Sequence, residues 1–202
     1  MLIGVDFDNT LVCYDRLFHQ LALELALIPA TLPADKESVR DYLRAAGHED
    51  QWTELQGLAY GLRIGEAVQF PGAGEFFRGC HEQGIPVCVV SHKTRLPVRG
   101  PQVDLQQAAR GWLAGQGFHD PEGIGLPIEQ VFFAETKVGK LRRIAAQRCT
   151  HFIDDLPEFL REPDFPQGVE RLLFDPQARH AGKVPFLCLS SWDLLHERLL
   201  FR

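Results

Sequence analysis

Leu2-Ile3-Gly4-Val5-Asp6-Phe7-Asp8-Asn9-Thr10 is the stretch on which the reading of this chain turns. Four mostly apolar residues lead straight into a polar segment. An apolar run of this length reads as a buried strand. Such a strand tolerates a carboxylate only where the chain leaves the sheet, so Asp6 and Asp8 mark its end. Two carboxylates two residues apart project in similar directions while strand geometry persists. Crowding them in a partly buried place raises the energy of the ionised pair. A cation between them relieves this and makes a divalent metal site. A proton on one of them relieves it too, and gives a nucleophile beside an acid. The plainer alternative makes Asp6 and Asp8 solvated loop residues, with Asn9 and Thr10 shaping a turn or capping a helix. What weighs against it is that further polar signals downstream also follow directly on apolar runs.

The 202 residues suffice for one good-sized core, or for a core domain with a small appended one. A net charge of −6 disfavours nonspecific binding to nucleic acid or to an anionic membrane surface. No apolar run is long enough to span a bilayer, and the start lacks the basic residues of a signal peptide. Cys13, Cys80, Cys88, Cys149 and Cys188 are scattered and odd in number. They read as small core residues in a reducing compartment, so a cytoplasmic chain is expected.

After the opening strand the period changes. Residues 15–28 carry Leu17, Phe18, Leu21, Leu25 and Ile28 at helical spacing, and Pro29 and Pro33 end the pattern. Residues 35–46 read as a second helix, with Val39, Tyr42, Leu43 and Ala46 on one face and Gly47 as its stop. Residues 49–68 read as one or two more helices. From residue 70 onward strands and helices alternate: strands over 85–91, 131–134, 151–153, 172–174 and 186–189, helices over 74–83, 103–116, 137–147, 157–162 and 192–201. Residues 92–101 and 117–128 read as loops. The expected fold is α/β, a three-layer Rossmann-like parallel sheet with a helical insertion after the first strand. Residues 1–13 and 69–202 form the expected core, and 14–68 the inserted helical domain.

In such sheets ligands gather at the carboxyl ends of the strands. Those ends carry Asp6 and Asp8, Ser91, and Asp154 with Asp155. Lys137 and Lys140 lie at the start of the helix after Ala134, which a right-handed crossover brings to the same edge. Carboxylates favour a hard cation such as magnesium, usually completed by water and substrate phosphate. An Asp can attack phosphorus where a cation and a lysine offset the repulsion between anions. A second Asp can protonate the leaving oxygen and then activate water. Ser91 can donate to a phosphoryl oxygen.

This set resembles the haloacid dehalogenase (HAD) superfamily of phosphotransferases. Its D-x-D-x-T motif resembles Asp6-Phe7-Asp8-Asn9-Thr10, its strand ending in a hydroxyl Val89-Val90-Ser91, its lysine Lys137 or Lys140, and its acidic pair Ile153-Asp154-Asp155. The likeness spans residue 1 to about residue 160. It implies that Asp6 is the nucleophile and a metal ligand, forming an aspartyl-phosphate. It implies that Asp8 is the general acid/base and offers its backbone carbonyl to Mg2+. Asp155 aligns with the direct carboxylate ligand, and Asp154 with a more distant or water-mediated one. Aspartate at position 8 is the phosphatase and phosphomutase pattern, not that of a carbon–halogen hydrolase. The helical segment resembles a C1-type cap, a lid that contributes selectivity. Of the two lysines, Lys137 stands nearer the helix start, where family lysines usually lie, and is favoured.

His92 and Lys93 follow the hydroxyl motif and either contact a phosphate or belong to an exposed basic loop. Asn9 and Thr10 are candidate substrate contacts, with Asn9 also reading as a turn former. The expected activity is magnesium-dependent hydrolysis of a small phosphorylated metabolite. The alternatives are a phosphomutase or nucleotide-directed phosphatase, and a non-catalytic HAD-like binding protein. A receiver domain is disfavoured, because there the acidic pair ends the first strand and the phosphorylated Asp ends a later one.

Overall fold

A computed structural model describes residues 1–201. Its elements, in chain order, are β1 (Ile3–Val5), β2 (Val12–Cys13), α1 (Asp15–Glu24), α2 (Lys36–Ala45), α3 (Glu49–Tyr60), β3 (Val68–Gln69), α4 (Ala73–Glu82), β4 (Val87–His92), α5 (Leu105–Gly115), β5 (Val131–Ala134), α6 (Lys137–Gln147), β6 (His151–Asp154), α7 (Pro157–Leu160), β7 (Glu170–Phe174), β8 (Leu187–Leu189) and α8 (Trp192–Leu200). Among the described residues, six strands form one sheet in the order β5-β4-β1-β6-β7-β8. Every pairing in it is parallel. The α/β architecture expected from the sequence is therefore present, with the opening strand in the middle of the sheet.

The sheet belongs to one compact unit, Met1–Leu11 with Gln69–Lys93 and Gln116 onward. Its two faces are covered by different helices. On one, Cys88, Val90 and Phe152 pack with Leu141 and Ile144 of α6 and Phe159 of α7. On the other, Phe76 and Phe77 of α4 meet Trp192 of α8, whose indole N–H donates to the Thr10 carbonyl at 3.1 Å. Burial on both faces explains why β1 and β6 read as apolar runs without alternation.

Gly4 lies at the centre of β1, between Cys88 of β4 and Phe152 of β6. A Cβ there would lie 2.5 Å from Phe152 Cδ2 and 2.9 Å from Cys149 Sγ. Gly4→Ala is therefore expected to overpack the sheet and lower stability by about 1–3 kcal/mol. Urea unfolding should show a lower midpoint at unchanged slope.

The second compact unit is Val12–Val68 with Thr94–Gly115. Leu17, Phe18 and Leu21 of α1 and Trp52 and Leu55 of α3 are buried in it. Phe18 stacks on Trp52 at 4.9 Å between centroids. Asp35 caps α2 by accepting from the Ser38 N–H at 2.7 Å. The segment 14–68, read as the inserted domain, lies within this unit. The unit also takes in α5, whose Trp112 donates from its indole N–H to the Ala67 carbonyl at 2.9 Å. Two short strands, β2 and β3, pair with each other; at two residues each they are too short to show a period. Helix α1 stops at Glu24, ahead of Pro29, because Ala26 turns left-handed at φ 52°.

Candidate active site

The three central neighbours β4, β1 and β6 end side by side, which gathers their terminal polar residues. The Asp6 N–H donates to the Ile153 carbonyl at 2.9 Å, so the β1–β6 ladder runs one step beyond β1. That step sets Asp6 level with Asp154. Both are buried, and Asp154 is fully so.

Lys140 lies between them. Its Nζ donates to Asp6 Oδ1 at 2.5 Å and to Asp154 Oδ2 at 2.6 Å. Helix α6 explains this choice of lysine. Thr136 caps the helix by accepting from the Gly139 N–H, and Lys137 opens it. Lys140 is one turn further on, on the buried face with Leu141 and Ile144. Its ammonium also lies 4.2 Å from the Phe159 ring centroid. Lys137, favoured from its nearness to the helix start, is exposed and stands 3.8 Å from Glu162. Helical phase, not distance from the cap, decides which lysine turns inward.

Burial raises the Asp154 carboxyl above its ordinary range; Lys140 pulls it down, and the nearby Asp6 charge pushes it up again. Burial alone would lower the Lys140 ammonium, but Asp154 and Asp6 overcome it and hold it above its usual value. Asp154 Oδ1 accepts from the Leu156 N–H at 3.0 Å. Asp155 Oδ1 accepts from Thr10 Oγ1 at 3.3 Å.

Asp6, Asp154 and Asp155 each offer a carboxylate oxygen, and these atoms lie within 4.8 Å of one another. With all three ionised, these carboxylates exceed the ammonium of Lys140 by two negative charges. Hard oxygen donors with an excess of two charges suit a divalent cation such as Mg2+. Asp8 is not part of that excess, because Lys93 Nζ donates to both its oxygens, at 2.9 and 2.7 Å.

The remaining expected residues divide. Ser91 is buried at the end of β4. The β4–β5 ladder continues past it: His92 pairs with Ala134, and the Lys93 N–H donates to the Ala134 carbonyl. Residues 92 and 93 therefore continue the strand and do not open the loop. Alternation puts Ser91 and Lys93 on one side and His92 on the other. His92 is exposed, and its Nε2 stands 3.1 Å from the Glu135 carbonyl. Thr10 is fully buried and braces Asp155, so the structure gives it a supporting place and not one on the surface of the site. Asn9 takes a left-handed turn at φ 59°, a conformation that asparagine adopts more easily than most residues. The five cysteines are free thiols.

No protein-family model matches the sequence, and no curated protein matches it significantly. Solved structures do share its fold. A HAD-superfamily hydrolase from Ehrlichia chaffeensis superposes with a TM-score of 0.55 at 12% identity, over 100% of this chain and 97% of the other. A HAD family hydrolase from Deinococcus radiodurans R1, solved with bound phosphate and sodium, gives 0.58 at 15% identity over 98% and 94%. A HAD phosphatase from Thermococcus onnurineus gives 0.52 at 11% identity over 98% and 97%. The chain has the HAD-type fold along its whole described length.

Proposed function

We propose that this chain is a magnesium-dependent phosphomonoester hydrolase that acts on a small phosphorylated metabolite. The observation that carries this reading is the buried Asp6–Lys140–Asp154 cluster, with Asp155 beside it, at the ends of the central strands. Two excess negative charges would make it hostile to a phosphate dianion, unless a dication is bound.

Asp6 and Asp155 would hold the metal through carboxylate oxygens, Asp8 through its backbone carbonyl, and Asp154 through water. Bound magnesium would supply the positive charge that lets a phosphoryl group approach these carboxylates. The chain's own residues do the rest. A carboxylate oxygen of Asp6 attacks phosphorus, and the bond from phosphorus to the ester oxygen breaks. Asp8, which enters this step protonated, gives that oxygen its proton and is left a carboxylate, with the phosphoryl group held on Asp6 as an acyl phosphate. Water then attacks the same phosphorus, Asp8 takes the water's proton, and the Asp6–phosphate bond breaks to free inorganic phosphate. Lys140 holds Asp6 in place by its hydrogen bond and offsets negative charge near it. Ser91 donates to a phosphoryl oxygen. Substrate selection is assigned to the helical unit. No helix among the described residues is long and apolar enough to cross a membrane.

Phosphate release from a panel of sugar phosphates, nucleotides and 4-nitrophenyl phosphate tests the reading. Release with magnesium that falls to background in EDTA is the expected result. Release that persists undiminished in EDTA removes the metal from the scheme. Transfer between hydroxyl groups of one substrate, without free phosphate, would make the enzyme a mutase.

A further inference from the structure

We propose that Lys93 is the positioning residue for Asp8, acting on the reaction through that carboxylate and not as a ligand of the substrate phosphate. The inference rests on the phosphatase reading above. It starts from how three of the four carboxylates are shared between two lysines. Lys140 takes Asp6 and Asp154, while Lys93 takes both oxygens of Asp8. Asp8 is thus held by a different lysine from the one that joins Asp6 and Asp154.

The pairing is built into the fold. The Lys93 side chain is 3% exposed, against 19% for its partner Asp8. Its backbone is fixed by the last rung of the β4–β5 ladder, at Ala134. Its ammonium lies 5.5 Å from the Phe7 ring, which is itself buried edge-on against Phe133 at 5.6 Å. Phe7 separates Asp6 from Asp8 in sequence. The aromatic residue of the motif therefore walls in the lysine that orients the motif's second carboxylate. Its ammonium is buried and turned onto a carboxylate.

Asp8 follows the end of β1, in a turn that Asn9 completes in a left-handed conformation. A carboxylate on such a turn has several rotamers open to it. Two hydrogen bonds from one buried ammonium select one of them. Proton transfer to an ester oxygen or from water depends on that geometry, and a misplacement of about 1 Å can cost about 10²-fold in rate.

A mutant cycle tests the role. Wild type, Lys93→Met, Asp8→Asn and the double variant are assayed for kcat and KM with 4-nitrophenyl phosphate, whose leaving group departs without a proton, so that kcat reads the activation of water by Asp8. Inhibition by inorganic phosphate is measured for each. The expected result is a fall in kcat of about 10²-fold in Lys93→Met, with no rise in KM and phosphate inhibition little changed. In the Asp8→Asn background the same substitution should cost nothing further. Lys93→Arg, which can also offer two donors to one carboxylate, should recover part of kcat. A rise in KM and weaker phosphate inhibition, of equal size in both backgrounds, would make Lys93 a substrate ligand and overturn the proposal. So would independent, additive losses in kcat. If wild type releases no phosphate from any ester, the phosphatase reading itself fails, and the role assigned to Lys93 falls with it. Circular dichroism and thermal unfolding of each variant exclude simple misfolding, and Lys93→Arg carries the comparison if Lys93→Met does not fold.

Discussion

Asp6→Asn is expected to abolish phosphate release, by about 10³-fold or more, in a chain that still folds. The substitution keeps the shape of the side chain and its oxygen toward Lys140, but an amide is a poor nucleophile toward phosphorus. Its effect on folding runs the other way. Asp6 and Asp154 share a single ammonium in a buried place, with Asp155 near them. Removing one of these charges lessens the repulsion, so unfolding without metal should occur at or above the wild-type temperature. Magnesium should then separate the two proteins. A cation that binds the folded state alone stabilises it by about 2.7 kcal/mol at a hundred times its dissociation constant. Wild type should show an increase of that kind, and Asp6→Asn much less of it. Thermal unfolding with magnesium and with EDTA, beside the rate assay, reads both effects. Activity within tenfold of wild type would move the nucleophile away from Asp6.

The Asp6 prediction was within reach of the sequence because the residues concerned are local. Leu2 to Val5 reads as a strand from four consecutive residues, and the change to Asp6, Asp8 and Asn9 marks its end without tertiary information. Ile153-Asp154-Asp155 is legible in the same way. Parallel strands bury both faces, so each appears as an apolar run that stops where the site begins. The lysines were less legible, because their roles depend on phase. Lys137 and Lys140 differ by one turn, and nearness to Thr136 favours Lys137, the one that the structure leaves exposed. The stripe of Lys140, Leu141 and Ile144 holds the answer, since these residues lie on the face that packs against the sheet.

Lys93 was obscured by its neighbours. Arg95, Arg99 and two prolines make residues 92–101 look like one basic loop, yet the β4–β5 ladder reaches Lys93 before the loop starts. The alternation of buried Ser91, exposed His92 and buried Lys93 was the available signal. The grouping of Thr94–Gly115 with the helical unit had no local signal. It rests on long-range packing, such as the Trp112 bond to Ala67 and the close approach of Gly57 to the Arg99 carbonyl. There a Cβ on residue 57 would collide with backbone. A glycine inside a helical pattern reads as a weak point until the strand or loop it admits is known.

The second large effect belongs to Lys140. Lys140→Met keeps the length and apolar stem of the side chain, so packing against Phe159 and Phe152 survives. What it removes is the ammonium that joins Asp6 and Asp154. Taking one partner from a buried ion pair costs about 3–5 kcal/mol, because the other charge remains without compensation. Here two carboxylates are left, so unfolding in urea should shift toward the upper end of that range. Phosphate release should fall to background as well, since the ammonium that holds Asp6 in place and offsets charge beside its attacking oxygen is gone. Lys137→Met supplies the control. That lysine is exposed and 3.8 Å from Glu162, and its loss should change stability by no more than about 0.5 kcal/mol. A further variant separates electrostatics from packing. Lys140→Met combined with Asp154→Asn removes one of the stranded charges, so the double variant should be more stable than Lys140→Met alone while remaining inactive. Residues that share one ion-pair network show such non-additivity, whereas independent sites do not. If the two substitutions simply add, the cost of losing Lys140 lies in its contacts with the aromatic rings and not in the carboxylates it joins.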